Sequence, residues 1–219
     1  MGRSLQLAVG QGVDEKGLVD AVEELYTARG SSDQALFSLA KLHRIRGARL
    51  AKEGVRFANG YSACTVCSPT RAALLTGRYP IRHGLQLSVV RPWAQYGLPL
   101  EERTLPQALR EAGYTTAISG KWHLGHFRPE YQPTRRGFDT QYGHYNGQID
   151  YFTHARDGGH DWHRNDRESR DAGYSTTLIG NEAVRVVEQA DPRKPFFLYV
   201  PFNAPHSPLQ APEEYLAKY

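Results

Sequence analysis

Cysteine is scarce: the 219 residues contain two, Cys64 and Cys67, in the spacing Cys-x-x-Cys. Such a count excludes a multi-disulfide framework. It also falls short of a structural zinc site, because no second pair of ligands stands at matching spacing. Taken alone, the spacing leaves a thiol redox pair as one reading. Long apolar runs are missing as well. None reaches the roughly 18–20 residues that span a bilayer, so no membrane insertion is expected. Met1 to Val13 shows no signal peptide, since its apolar stretch Leu5–Val9 is short and broken by Gln6. There is no internal repeat and no low-complexity tract.

What is present describes a globular chain of one domain or slightly more, with 40% hydrophobic and 23% charged residues. The net charge is +4 and the pI about 9.1. The basic excess is local: Lys41, Arg44, Arg46, Arg49, Lys52 and Arg56 face Glu53 alone. No aromatic residues interleave with them as stacking platforms, so a solvated helix face is expected and nucleic acid is not.

Residues 1–48 read as an atypical helical segment. Leu18, Val19, Val22, Leu25 and Tyr26 recur at a helical period, and a second helix is expected from Ser32 or Asp33 towards Leu50. Beyond it, helices alternate with short apolar strands. Thr104–Ala112 predicts a helix with a Thr104/Gln107 capping box, closed by Gly113. Tyr114–Ser119 reads as a strand running into the turn Gly120–Gly125. Ser175 opens a helix that presents Leu178, Ile179, Ala183, Val186, Val187 and Ala190 on one face. Pro195–Phe202 reads as a strand buried on both sides. The pattern indicates an α/β layer protein, whose functional groups gather outside the carboxyl ends of the strands. Lys121, His123 and His206 all fall at such ends.

One stretch organises the rest. Cys67-Ser-Pro-Thr-Arg-Ala-Ala-Leu-Leu-Thr-Gly77 places a cysteine just ahead of a helix that starts near Pro69 and stops at Gly77. The free N–H groups of a helix start, with Arg71 one turn in, make a place for an anion. Cys-x-Pro-x-Arg followed by Leu75-Thr-Gly-Arg78 resembles the signature of the type I sulfatases. Gly120-Lys-Trp-His123, Arg135-Arg-Gly-Phe-Asp139 and Ala204-Pro-His206 resemble three further segments of that family, and the likeness covers about residues 50–219.

The resemblance implies an alkaline-phosphatase-like sandwich, a mostly parallel sheet between helices, with residues 49–219 as the front half of a catalytic domain. It implies a sulfuric ester hydrolase, arylsulfatase-like, acting on a sulfated small molecule or sugar. In such enzymes a formylglycine-generating enzyme converts the cysteine to formylglycine, whose hydrate is the nucleophile; here that residue is Cys67. By the same resemblance Arg71 holds the hydrate, Lys121 touches it and the sulfate, His123 is the base of the elimination step, and His206 protonates the leaving oxygen. Arg135 and Arg136 read as structural, tied down by Asp139. His160 and His163, with Asp161 between them, read as a substrate-facing or solvated loop. Family members are often periplasmic, lysosomal or secreted.

The family also implies one calcium ion, with Cys67 among the groups around it and hard oxygen ligands from two acidic pairs. Neither pair is recognisable. No Asp-Asp dipeptide occurs, and Asp14-Glu15 is the nearest stand-in. The later pair is expected beyond Tyr219, so the chain reads as an incomplete catalytic domain. Two other readings stay open: a phosphate or phosphonate monoester hydrolase on the same scaffold, and a catalytically silent fragment.

Overall fold

The computed structural model describes residues 59–217. The expected helices of residues 1–48 and the basic run lie outside them. Ser62–Gln210 belongs to one compact unit, and Ala211–Ala217, with the short helix Glu213–Leu216, to another.

The first unit is built on a five-stranded sheet. Strands β1 (Thr115–Ser119), β2 (Thr140–Gly143) and β7 (Phe196–Tyr199) are its parallel heart, with β1 between the other two. Two short strands, β5 (His163–Arg164) and β6 (Arg167–Glu168), extend it antiparallel from β2. A separate hairpin pairs β3 (Ala155–Arg156) with β4 (Gly159–His160). The tract 155–168, of which His160–His163 was expected as loop, forms two hairpins. Its turns rest on Gly158 and on Asp157 and Asn165 at positive φ, which an apolar-strand search does not register.

Helices cover both faces. The side chain of Ile118 packs with Ala72 and Leu75 of helix α1 (Cys67–Thr76) in a cluster that also holds Trp122, Phe138 and Tyr199. On the opposite face Ser119 Oγ donates to Ile179 O of helix α3 (Ser175–Glu188) at 2.7 Å. The alternation of neighbouring strand residues between faces makes this layering possible. Helix α3 buries Ile179, Ala183 and Val187 as its periodicity predicts. Helix α2 (Leu105–Glu111) begins with the expected capping box, and Gly113 follows its end at φ +90.

Two expectations need correction. Strand β7 is shorter than Pro195–Phe202, and only Leu198 and Tyr199 are buried, because within the described sheet β7 is an edge strand. Asp139 does not hold the arginines. Its carboxylate accepts from the Thr116 amide and hydroxyl, stitching the start of β2 to β1. Arg136 is buried instead against the carbonyls of Leu98, Pro99 and Glu102, and Arg135 meets Asp166.

Candidate active site

Because β1, β2 and β7 are parallel, the segments leaving their carboxyl ends share one edge of the sheet: Gly120–His123, His144–Asn146 and Pro201–His206. Helix α1 starts against that edge. It begins at Cys67 itself, with Val66 as its extended N-cap, slightly earlier than the Pro69 start read from the sequence. Pro69 lies in the first turn, where its missing N–H costs nothing. Gly77 ends the helix in the left-handed region at φ +67, its N–H bonded to Ala73 O.

Cys67 is half-buried, and neither it nor Cys64 is in a disulfide. Lys121 stands near Cys67, whose side chain favours the charged ammonium. Burial, and then repulsion from Arg71, lower the Lys121 pKa to about 8 against the pull of Cys67. Arg71 is buried too. Its Nη1 donates to Lys121 O at 2.7 Å and to the Tyr199 hydroxyl at 3.3 Å, joining α1 to the ends of β1 and β7. Two cationic side chains, Arg71 and Lys121, therefore stand together at the start of the helix that carries the cysteine.

His123 sits behind them, at a positive φ of 62 that few non-glycine residues adopt. Its amide donates to Tyr145 O at 3.0 Å and its carbonyl accepts from Ser68 Oγ at 2.8 Å. The ring Nε2 lies 2.8 Å from Val90 O. A carbonyl can only accept, so Nε2 carries the proton and Nδ1 keeps a lone pair. That Nδ1 has no partner among the described residues. Burial first, then the charges of Lys121 and Arg71, hold the pKa well below that of an ordinary histidine, so the ring is neutral. Gly147 leaves room for it: a Cβ there would stand 2.5 Å from the ring.

His206 is placed differently. It is partly exposed, its Nδ1 lies 2.9 Å from Ser207 O, and no described hydrogen bond joins its ring to the other four residues. Its backbone is anchored, with His206 O accepting from the Tyr151 hydroxyl at 2.8 Å.

Several residues of the site carry no motif and escape the sequence. Ser68 was simply the residue after the cysteine. His144 is fully buried, with neither ring nitrogen partnered among the described residues. Burial pushes its pKa down to about 3 against the pull of Asp161, and Lys121 and Arg71 add to the fall. Asp161 is not part of a solvated loop. It is buried and accepts the amides of Tyr145 at 2.9 Å and Asn146 at 2.7 Å, with His163 Nε2 at 3.1 Å. Burial disfavours its charge, yet His163, His144 and those amides outweigh that and hold it well below the ordinary carboxylate range. Asn203 is buried beyond β7 with both amide atoms unpartnered among the described residues.

Calcium does not fit what is described. Among the described residues no group of three or more histidine, cysteine, aspartate or glutamate side chains could hold a metal ion. Around Cys67 stand a lysine, an arginine and a neutral imidazole, whereas calcium takes several oxygen ligands.

Fold and site together define an α/β protein with a cysteine, two cationic side chains and a neutral imidazole gathered at the carboxyl edge of its parallel strands. The sulfatase family model, described as Sulfatase, matches residues 32–219, beginning earlier than the motifs suggest. Arylsulfatase J of Mus musculus is 39% identical over 238 residues, covering 97% of this chain and 40% of that protein. N-acetylgalactosamine-6-sulfatase of Homo sapiens is 37% identical over 187 residues, covering 77% and 36%. Among solved structures, Ps i-CgsB in complex with k-i-k-neocarrahexaose is similar at TM-score 0.66 and 35% identity, covering 73% of this chain and 39% of that one. This chain belongs to the sulfatase family, and its fold is the alkaline-phosphatase-like α/β fold. It spans about two fifths of the length of those relatives.

Proposed function

We propose that this chain carries the nucleophile and the anion-binding half of a sulfuric ester hydrolase. The observation that supports it most is Lys121 near Cys67, with Arg71 held to Lys121 O, at the start of α1. A sulfated sugar is the favoured substrate: Ps i-CgsB was solved with k-i-k-neocarrahexaose, and another neighbour, at 29% identity and TM-score 0.57, with its substrate D-glucosamine-2-N,6-O-disulfate.

Converted to formylglycine by its generating enzyme, Cys67 supplies an aldehyde whose hydrate attacks sulfur and then sheds sulfate. The side chains around it do the rest. Lys121 in its ammonium form counters charge on the sulfate oxygens. Arg71 holds Lys121 O and stands beside the same centre, so its guanidinium keeps the pocket positive. His123 offers Nδ1 as the only basic nitrogen of a neutral ring, suited to take the proton whose loss lets sulfate leave. His206, on a partly exposed loop, is given the leaving oxygen by the family resemblance. Calcium is a family expectation, and no step here is assigned to it.

Paired aryl esters test the reading. With Cys67 converted, 4-nitrophenyl sulfate should turn over at least about 100-fold faster than 4-nitrophenyl phosphate by kcat/KM. The reverse preference would favour the phosphate or phosphonate ester reading. Turnover of neither would favour a silent fragment.

A further inference from the structure

A cleft of about 390 Å³ opens beside the site, lined among others by Trp93, Asn146, Arg156, Asp157, His160 and Asp161. Its size is at the lower end of the roughly 300–1,000 Å³ of small-ligand clefts. It shares its wall with the Cys67 centre. Asp161 accepts the Tyr145 amide, Tyr145 O accepts the His123 amide, and His123 leads through Ser68 to the start of α1. On the other wall, Pro92 and Trp93 follow Val90, the residue whose carbonyl holds the His123 ring. The charge of Arg156 is also felt at Lys121.

We propose that this cleft is a subsite for an unsulfated pyranose ring next to the sulfated ring of the substrate. The proposal rests on the sulfatase reading above. Three observations support it. Trp93 is 74% exposed, whereas Trp122 and Trp162 are 1% and 0% exposed. A broad indole left in water at the mouth of a cleft is a stacking face for the C–H side of a sugar. The lining also supplies hydrogen-bonding groups, with acceptors on Asn146 and His160 and the Arg156 guanidinium as a donor. The Asn146 side-chain oxygen Oδ1 is buried and unpartnered among the described residues. His160 uses Nε2 on Ser169 O at 2.7 Å, which leaves Nδ1 as an acceptor.

Charge then decides which ring fits. Arg156 is paired with Asp157 at 2.9 Å, and Asp161 is held as a carboxylate by two amides and His163. One guanidinium against two carboxylates gives a cleft that is not cationic. A second sulfate would be repelled there, while hydroxyl groups would find both donors and acceptors. The cleft therefore selects a monosulfated disaccharide over the sulfated monosaccharide by its neutral ring.

Fluorescence of the full chain, with Cys67 converted, reads this directly, because Trp93 is the exposed tryptophan of three. The probes are κ-neocarrabiose 4-sulfate, which has one sulfated and one neutral ring, and galactose 4-sulfate, which lacks the second. The disaccharide should cut acrylamide quenching at least twofold, and the monosaccharide should leave it unchanged. Trp93→Ala should weaken disaccharide binding, by calorimetry, at least tenfold and monosaccharide binding less than twofold. Retained blue-shifted emission from Trp122 and Trp162 shows that the variant is folded. Unaltered quenching with disaccharide bound, or equal affinity of Trp93→Ala and the parent chain, would overturn the subsite and leave the sulfatase reading standing. Failure of both sugars to bind would count against both.

Discussion

The Ser68 hydroxyl donates to His123 O at 2.8 Å while accepting the Val90 amide at 3.0 Å, and Val90 O in turn meets His123 Nε2 at 2.8 Å. One hydroxyl on the first turn of α1 thus sets both the backbone and, through Val90, the ring of the proposed base. His123 tolerates its positive φ because these contacts over-determine it.

Ser68→Ala should therefore act on both stability and rate. Removing a buried hydroxyl that serves two partners should cost about 1–3 kcal/mol in urea unfolding. Releasing the His123 loop should lower kcat/KM by about 10–100-fold, since small misplacements of a catalytic group are costly. A variant with full activity would show that His123 needs no such clamp.

Lys121 makes rate and stability move in opposite directions with pH. The proposed role needs its ammonium form, so kcat/KM should fall as pH rises through about 8. Folding prefers the neutral amine there. Between about pH 8 and the ordinary 10.5 the unfolded chain holds a proton that the folded chain lacks, so this residue's contribution makes stability rise with pH in that window. Lys121→Arg, charged throughout, should lose the alkaline limb of the rate profile. Denaturant midpoints of the parent and Lys121→Met chains, compared from pH 7 to 10, measure the stability half.

His144 predicts the acid behaviour. Its pKa falls from 6.5 to about 3 on folding, so the unfolded chain binds the extra proton as pH drops below 6.5. Stability from this group is present at neutral pH and is lost progressively between 6.5 and about 3. His144→Leu removes that liability and replaces a buried polar ring, unpartnered among the described residues, with an apolar group. Its acid-unfolding midpoint, followed by circular dichroism, should move down by about one pH unit. An unmoved midpoint would mean that another group controls acid unfolding.

On the far face of the sheet, Glu182 holds two arginines. Its carboxylate accepts Arg164 Nη1 and Nη2 at 2.9 and 3.1 Å and Arg185 Nε at 2.9 Å, linking α3 to β5. The carboxylate is buried while both arginines are about half exposed. Loss should be asymmetric. Glu182→Gln should cost about 2 kcal/mol, because the pairing of both arginines goes at once, and Arg185→Gln under about 1 kcal/mol, because Arg164 remains.

How much of this could be seen beforehand follows from the range of each signal. Helix α2 was legible because the Thr104/Gln107 box is local chemistry, and α3 because its apolar period is local. The cluster of Cys67, Arg71, Lys121 and His123 was legible through short motifs that resemble a family. Ser68, His144 and Asp161 were not. Their roles depend on contacts 55 positions away for Ser68, 24 for His144, whose amide donates to Gly120 O, and 15–16 for Asp161, or on the parallel pairing of strands, which no window of sequence displays. Arg136 shows the same limit: Asp139 is its near neighbour in sequence, yet its bonds run 34–38 positions back to Leu98–Glu102.

The nucleophile itself gives the most direct test. Full-length protein made together with a formylglycine-generating enzyme would be alkylated, cut with trypsin, and the peptide Phe57–Arg71 weighed; Cys64 in the same peptide serves as the internal control. The account predicts a loss of about 18 Da at Cys67, thiol to aldehyde, with Cys64 alkylated as an ordinary thiol. A peptide in which both cysteines are alkylated would contradict it.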